Sequence, residues 1–315
     1  MARICIVLAT YNGEKYLSKM LDSLVAQIRP ADKVIAVDDG SSDSTIKILE
    51  KYRSSLPLQI DALPQNGGHR AAFSHALALA EKELEKDDLI ALADQDDIWL
   101  PQKLKILEEE IEKKKVALIF GDAEVIDKED NIKAHSWRKL SKIEKRISIK
   151  QQIAGINNVT GCLSLFRASL LSAILPIPEG VTVHDRWIAI IADRNGGIAA
   201  IDTPVVQYRI HGENAVGGVA DQSMRKTLEE RIRWTNTLLA HKERLALTKS
   251  EIRFANELKA LSRIRLRSPL ALAKLLWIIQ NRKEIFLKDT PFKTFKRILF
   301  SAIGLPLARE YFGKK

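Results

Sequence analysis

Leu92-Ala93-Asp94-Gln95-Asp96-Asp97-Ile98-Trp99-Leu100-Pro101 sets three carboxylates in four positions, behind the apolar run Leu89-Ile90-Ala91-Leu92 and ahead of a proline that opens a helical segment. In an extended chain alternate side chains share a face, so the spacing predicts that Asp94 and Asp96 project together while Asp97 points away or lies in the turn. Two carboxylates held side by side repel unless a hard, oxygen-preferring divalent cation is shared between them, which makes Mg2+ or Mn2+ the natural third party. The same residues also suit a plain helix start, because acids favour the positive N-terminal end of a helix and Pro101 fits its first position.

Working outward, residues 2–100 alternate apolar runs with amphipathic segments. Strands are expected at Ile4 to Ala9, Val34 to Val37, Leu58 to Ala62 and Leu89 to Leu92, and helices over 15–27, 44–54 and 70–85. Leu17, Met20, Leu21, Leu24 and Val25 show the helical spacing. Such alternation means a mainly parallel sheet with right-handed crossovers, covered on both faces, whose ligands bind at the carboxyl ends of the strands. Those ends carry Thr10-Tyr11-Asn12-Gly13, then Asp38-Asp39-Gly40-Ser41-Ser42-Asp43-Ser44, then Pro64-Gln65-Asn66-Gly67-Gly68-His69, then the acidic stretch. Turn chemistry accounts for most of the Gly, Asn and Ser, but not for acids at two strand ends. That arrangement suits a nucleotide, with an Asp on base or ribose and others carrying a metal on the diphosphate. No Gly-rich phosphate loop of the GxxxxGK[ST] or GxGxxG kind occurs.

With 315 residues, 46% hydrophobic and 29% charged, the chain can bury a sizeable core. Cys5 and Cys162 lack any disulfide or zinc spacing and read as reduced core residues of a cytosolic protein. The apolar run at the N-terminus is too short for a signal peptide, and no window approaches the ~20 apolar residues of a spanning helix. Charge is uneven: from Ser223 on there are 22 Lys+Arg against 8 Asp+Glu, or +14, and over residues 1–222 there are 28 against 32, or −4. A basic tail on a mildly acidic body points to an anionic surface as the tail's partner.

Downstream, a strand pair is expected over 116–126 around Gly121-Asp122, with a surface loop and helix over 128–150. Gly155 to Phe166 reads as a pocket-lining loop and a buried strand, and Thr182 to Trp187 opens a helix. A strand at Ala199 to Ile201 precedes Val205 to Asn214, where His211 sits beside a glycine. Asp185 is either a helix-start acid or a functional carboxylate, and His211 either structural or a ligand. Beyond Met224 the pattern is helical. Phe292, Phe295, Ile298, Leu299 and Phe300 interleave with Lys293, Lys296 and Arg297, the composition of an in-plane membrane helix or of an appendage packed on the body or on a partner. Aromatics at helical spacing with Leu and Ile are an apolar face more than stacking platforms, which argues against nucleic acid.

Ala9 to Gly13, Val37 to Thr45, Asn66-Gly67 and Ala93 to Trp99, in this order and spacing, resemble the inverting family 2 glycosyltransferases of the GT-A fold over roughly residues 3–215. Thr160-Gly161-Cys162, His184 to Trp187 and Tyr208 to Asn214 are similar to the bacterial subgroup that builds surface polysaccharides, including rhamnosyltransferases. The resemblance implies an α/β nucleotide-diphospho-sugar transferase body, residues 1–222, and a basic helical extension, 223–315. It implies that Thr10, Tyr11, Asn12, Asp39, Asn66 and Asp94 hold the nucleotide, that Asp96 and His211 meet Mg2+ or Mn2+, and that Asp185 is the general base. Trp99, Thr160, Gly161, His184, Arg186 and Trp187 would line the sugar and acceptor pocket. The implied reaction moves one sugar at a time from a nucleoside-diphosphate sugar, dTDP-rhamnose or a UDP-sugar, to a glycan or lipid-linked acceptor. The implied place is the inner face of the cell membrane, with the helical extension on anionic lipid or joining two copies.

Two departures stand out: Ala72-Phe73 replaces the family's usual Asn-Phe pair, and the Gln-x-x-Arg-Trp signature of processive relatives is absent. A nucleotidyltransferase would want a basic Gly-rich loop after strand one, and an Asp-nucleophile phosphatase an Asp-x-Asp there; neither occurs. A non-catalytic nucleotide-sugar-binding protein or membrane scaffold with a degenerate body is the alternative reading.

Overall fold

The computed structural model describes residues 2–211, 224–268, 270–286 and 291–303, except for the side chains of Pro291 and Phe292. Gly212, Glu213 and Asn214 of the downstream motif, the side chain of Phe292 and the 222/223 boundary lie outside the described residues.

Nine strands form one sheet: β1 (Ile4–Thr10), β2 (Lys33–Asp38), β3 (Leu58–Ala62), β4 (Leu89–Asp94), β5 (Ile98–Trp99), β6 (Leu118–Ile126), β7 (Ile132–Ala134), β8 (Ser164–Arg167) and β9 (Ile198–Arg209). Their order is β3-β2-β1-β4-β8-β6-β9-β5, with β7 on β6. The first four are mutually parallel. β8 runs antiparallel to both β4 and β6, β9 is parallel to β6, and β5 is antiparallel to β9. Helices α1 (Leu17–Val25), α2 (Thr45–Lys51) and α3 (His69–Glu81) make the crossovers, and α4 (Lys103–Lys114) links β5 to β6. On α1 the buried Leu17, Met20, Leu21 and Leu24 recur at helical spacing; each such burial is worth about 1.5–3 kcal/mol. Between β7 and β9 lie α5 (Trp137–Leu140), α6 (Ile149–Ile153), α7 (Leu171–Ile174) and α8 (His184–Arg194).

The 116–126 region differs from the expected strand pair. It is one strand, because β8 pairs with its first part, up to Phe120, and β9 pairs on both sides of Gly121. A Cβ on Gly121 would lie 2.5 Å from Val205 Cγ2, so the glycine permits a close approach rather than a turn. Likewise 198–209 is continuous, and Pro204 is accommodated where the β6–β9 register shifts. The 128–150 stretch is not simply a surface loop and helix, since it includes β7 and α5, on which Arg138 is buried.

The chain divides into two compact units that are not contiguous in sequence. The first takes in the sheet and α8. The second comprises 147–157, 178–182 and the C-terminal helices α9 (Met224–Ala240), α10 (Lys249–Arg267), α11 (Leu275–Gln280), α12 (Arg282–Ile285) and α13 (Pro291–Ala302). Short body segments belong to it for a specific reason: the Trp234 indole donates to the Gln152 carbonyl at 3.1 Å. A capping box of Thr248 with Glu251 starts α10. Leu261, Ala271 and Ile278 form a small core, against which Ile264, Trp277, Phe286 and Ile298 pack. Among the described residues no helix is long and apolar enough to cross a membrane.

Candidate active site

Because β1 lies between β2 and β4, three strand ends come out side by side, with Thr10 paired to Asp38 and Ala9 to Asp94. Asp38 is buried and accepts from Thr10 Oγ1 at 2.9 Å, Ser41 N at 2.8 Å and Ser41 Oγ at 2.6 Å. Asp39 is equally buried and accepts from the N–H groups of Gly67 (2.8 Å) and Gly68 (2.7 Å). Gly68, with φ +80°, takes the left-handed turn that lets both amides converge. Asn66 Oδ1 accepts a second, longer bond from Gly68 N at 3.2 Å.

The loop after β1 is stitched to both neighbours. Asn12 donates its N–H to Ser41 Oγ and accepts from Ser42 N, at 2.8 and 2.9 Å. Gln95 accepts from Tyr11 N at 2.8 Å and donates to Tyr11 O at 2.9 Å, clamping the loop to the acidic turn. The Tyr11 ring stays exposed.

The strand ends at Asp94, and Gln95 and Asp96 form a turn, so strand alternation does not govern the three acids. Of the two expectations for Asp97, to point away or to lie in the turn, the first is corrected here, and the residue directly follows the turn. It is 1% exposed, accepts from Arg209 N at 3.0 Å, and shares with Asp94 and Cys162 Sγ a group whose polar atoms lie within 4.8 Å. Asp96 instead meets His211, with Oδ2 to Nε2 at 2.8 Å. Arg209 is fully buried; it donates to Asp96 O and Asp127 O, each at 2.8 Å, and pairs with Asp130 at 2.5 Å. Burial and then the charges of Asp96 and Asp185 push Asp94 up to about 7. Burial first, then Asp96 and Asp94, push Asp97 well above the usual carboxylate range.

Asp185 lies in the first turn of α8, and its charge is felt at Asp94. Gly161 sits against that turn: a Cβ there would be 3.6 Å from Asp185 Cβ and 3.3 Å from His184 Nε2. His184 is buried and stacked 3.9 Å from Phe73, and its Nδ1 has no hydrogen-bond partner among the described residues. Burial, and then His69, push it down to about 3. Thr160 Oγ1 accepts from the Trp137 indole at 3.3 Å, and Arg186 is half-buried.

For a divalent cation the oxygen and imidazole donors of Asp96 and His211 fit, being paired, only partly buried and fixed by Arg209 through the Asp96 carbonyl. The Asp94, Asp97 and Cys162 group does not fit. Its soft thiol sulfur is a poor donor for a hard, oxygen-preferring cation.

The sequence model described as Glycosyl transferase family 2 matches residues 5–175, more than half of the chain. This chain belongs to glycosyl transferase family 2. A glycosyltransferase of Nostoc sp. is 27% identical over 67% of the chain and 66% of its own length. The poly(ribitol-phosphate) beta-N-acetylglucosaminyltransferase TarS of Staphylococcus aureus is 37% identical over 33% of the chain, and the dTDP-rhamnosyl transferase RfbG of Shigella flexneri 35% over 31%. These two matches span 18% of TarS and 34% of RfbG. The structure of S. aureus TarS 1–349 in complex with UDP-GlcNAc superposes with a TM-score of 0.60 at 18% identity, covering 95% of this chain and 81% of that one. The mannosyltransferase PcManGT of Pyrobaculum calidifontis, in complex with GDP-Man and Mn2+, superposes at 0.51 with 17% identity, covering 99% and 88%. The expected fold class, a GT-A sheet flanked by helices with C-terminal helices added, is therefore the one observed.

Within this member of the family Thr10, Tyr11, Asn12, Asp39, Asn66 and Asp94 come to neighbouring strand exits, and Asp96 and His211 meet. Trp99 and Trp187 do not line an open pocket. Trp99 is 1% exposed because β5 carries it into the core, and Trp187 is fully buried with its indole donating to Ile174 O at 2.9 Å. Reasoning from sequence also missed Lys103, fully buried behind the acidic turn. Its signal was present: Lys103 shares the i, i+4, i+8 stripe of α4 with the buried Leu107 and Ile111.

His184 yields a pH test. Its folded pKa lies below the ordinary 6.5, so the neutral ring stabilises the fold above that pH. The stability is lost as pH falls from 6.5 towards 3 and the unfolded chain takes up the proton. Urea unfolding of the wild type should lose about 2 kcal/mol more between pH 7 and pH 5 than unfolding of His184→Gln. Equal losses would show that His184 titrates normally in the fold.

Proposed function

We propose that this chain is a metal-dependent, inverting glycosyltransferase that adds single sugars to a cell-surface glycan or a lipid-linked precursor. The observation that carries the reading is Asp185 at the start of α8, set across Gly161 from a strand-end acidic turn whose Asp96 is joined to His211. A carboxylate so placed takes the proton of an acceptor hydroxyl as that oxygen bonds to the anomeric carbon. The bond from that carbon to the diphosphate oxygen breaks on the opposite face, which inverts the centre. A general base of this kind contributes ~10²–10⁴-fold. Tyr11, exposed, is positioned to stack on the base of the nucleotide, while Asp39 and Asn66 fix the loop at its edge. Mg2+ or Mn2+, held by Asp96 and His211, would supply charge neutralisation on the departing diphosphate.

The UDP-GlcNAc of the TarS structure and the name of RfbG favour a UDP-sugar or dTDP-rhamnose as donor, and the GDP-Man and Mn2+ of the mannosyltransferase structure favour a nucleotide with a divalent ion. We infer further that the C-terminal unit meets the anionic inner face of a cell membrane. Leu272, Leu276, Phe295 and Leu299 are exposed on it, and Lys293, Lys296 and Arg297 are exposed on α13. From Lys259 on, the sequence holds 14 Lys+Arg against 3 Asp+Glu.

Asp185→Asn should cut transfer by about a hundredfold or more while leaving nucleoside diphosphate affinity within about threefold, read by product assay and calorimetry. Unimpaired transfer would remove Asp185 from the chemistry. Asp96→Ala should abolish the part of UDP or dTDP affinity that a chelator removes from the wild type; affinity insensitive to both would dismiss the metal site. The full chain should float with phosphatidylglycerol vesicles at low salt and be released at high salt, and Phe295→Glu/Leu299→Glu should not float. Equal flotation with phosphatidylcholine, or dimers without flotation, would assign that face elsewhere.

A further inference from the structure

Lys103 is the first residue of α4 and is completely buried. Its ammonium donates to the Cys162 carbonyl at 2.5 Å and stands 3.1 Å from the centre of the Trp99 ring. Asp97 and Asp94 are the carboxylates whose charge it feels. Three features of this placement work against stability. Burial of an ammonium costs several kcal/mol, a cation at a helix N-terminus opposes the macrodipole, and the stripe it shares with Leu107 and Ile111 is otherwise apolar. Met would fill the same volume without these costs. Residues that break local rules in this way concentrate at functional sites.

What the ammonium holds is specific. Cys162 is the middle residue of the 3-10 turn Gly161–Leu163, which also carries the bonds from Leu163 N to Thr160 O and from Ser164 Oγ to Gly161 O, at 3.0 and 2.7 Å. Gly161 at its start touches both sides of the site: a Cβ there would be 3.5 Å from Leu92 on β4 as well as 3.6 Å from Asp185 Cβ. We propose that Lys103 is a positioning residue of the transfer reaction, its ammonium bracing the Gly161–Leu163 turn between the acidic turn and the start of α8 and so fixing Asp185 against the donor. This rests on Asp185 being the base. Misplacing a catalytic group by about 1 Å is enough to cost ~10²-fold.

The test is Lys103→Met, with Lys103→Met/Asp97→Asn as the variant that also removes a buried acid whose charge the ammonium feels, should the single change unfold. Amide hydrogen exchange should quicken in residues 160–164 and 184–186 and stay unchanged in α1 and α2. With a sugar nucleotide that the wild type uses, kcat should fall about tenfold or more while KM for the donor and calorimetric affinity for its nucleoside diphosphate stay within about threefold. Unchanged exchange in 160–164, unchanged kcat, or donor affinity falling in step with kcat would each overturn the bracing role. A wild type inactive with every sugar nucleotide would instead refute the glycosyltransferase reading, and the exchange result would still judge the brace.

Discussion

Mutual repulsion among carboxylates at adjacent parallel strand ends is the constraint around which this body is arranged. Asp38, Asp39, Asp94, Asp96 and Asp97 arise from two strands that flank β1, and each is answered by a different device. Backbone N–H groups and hydroxyls satisfy Asp38 and Asp39, which turns two acids into the ties of their own loops. The Arg209 amide holds Asp97, and an imidazole holds Asp96. A buried ammonium stands behind Asp94 and Asp97. Hydrogen bonds to a carboxylate are stronger than neutral ones, so these ties add to the packing that holds the loops.

The consequence is a division of labour among residues of one type. Asp38 has its oxygens occupied by Thr10 and Ser41 and orders the β1 and β2 exits, whereas Asp96 is only partly buried and meets the His211 imidazole. Asp94 stands between these extremes. Burial and then the charges of Asp96 and Asp185 push it up to about 7. Glycines support this at two points: Gly68 bends the loop whose amides reach Asp39, and Gly161 leaves room for the His184 ring, whose Nε2 a Cβ would meet at 3.3 Å.

Strand and helix alternation, the acids at strand ends and the helical tail were all legible in sequence, because side-chain periodicity and turn residues are local signals. They determined the parallel sheet, the end of it that carries chemistry and the candidate donors Asp94, Asp96 and His211. Local signals fail where one position has two physical readings. Gly121-Asp122 reads as a turn until β9 pairs on both sides of it, and Trp99 reads as a pocket wall until a two-residue strand turns it into the core. Only the tertiary structure decided that Asp97 faces inward, that His211 lies on Asp96 across 115 residues of chain, and that Lys103 braces the turn bearing Cys162. Such pairings are set by crossovers and sheet order, which bring distant residues within hydrogen-bond reach and leave no trace in the spacing along the chain.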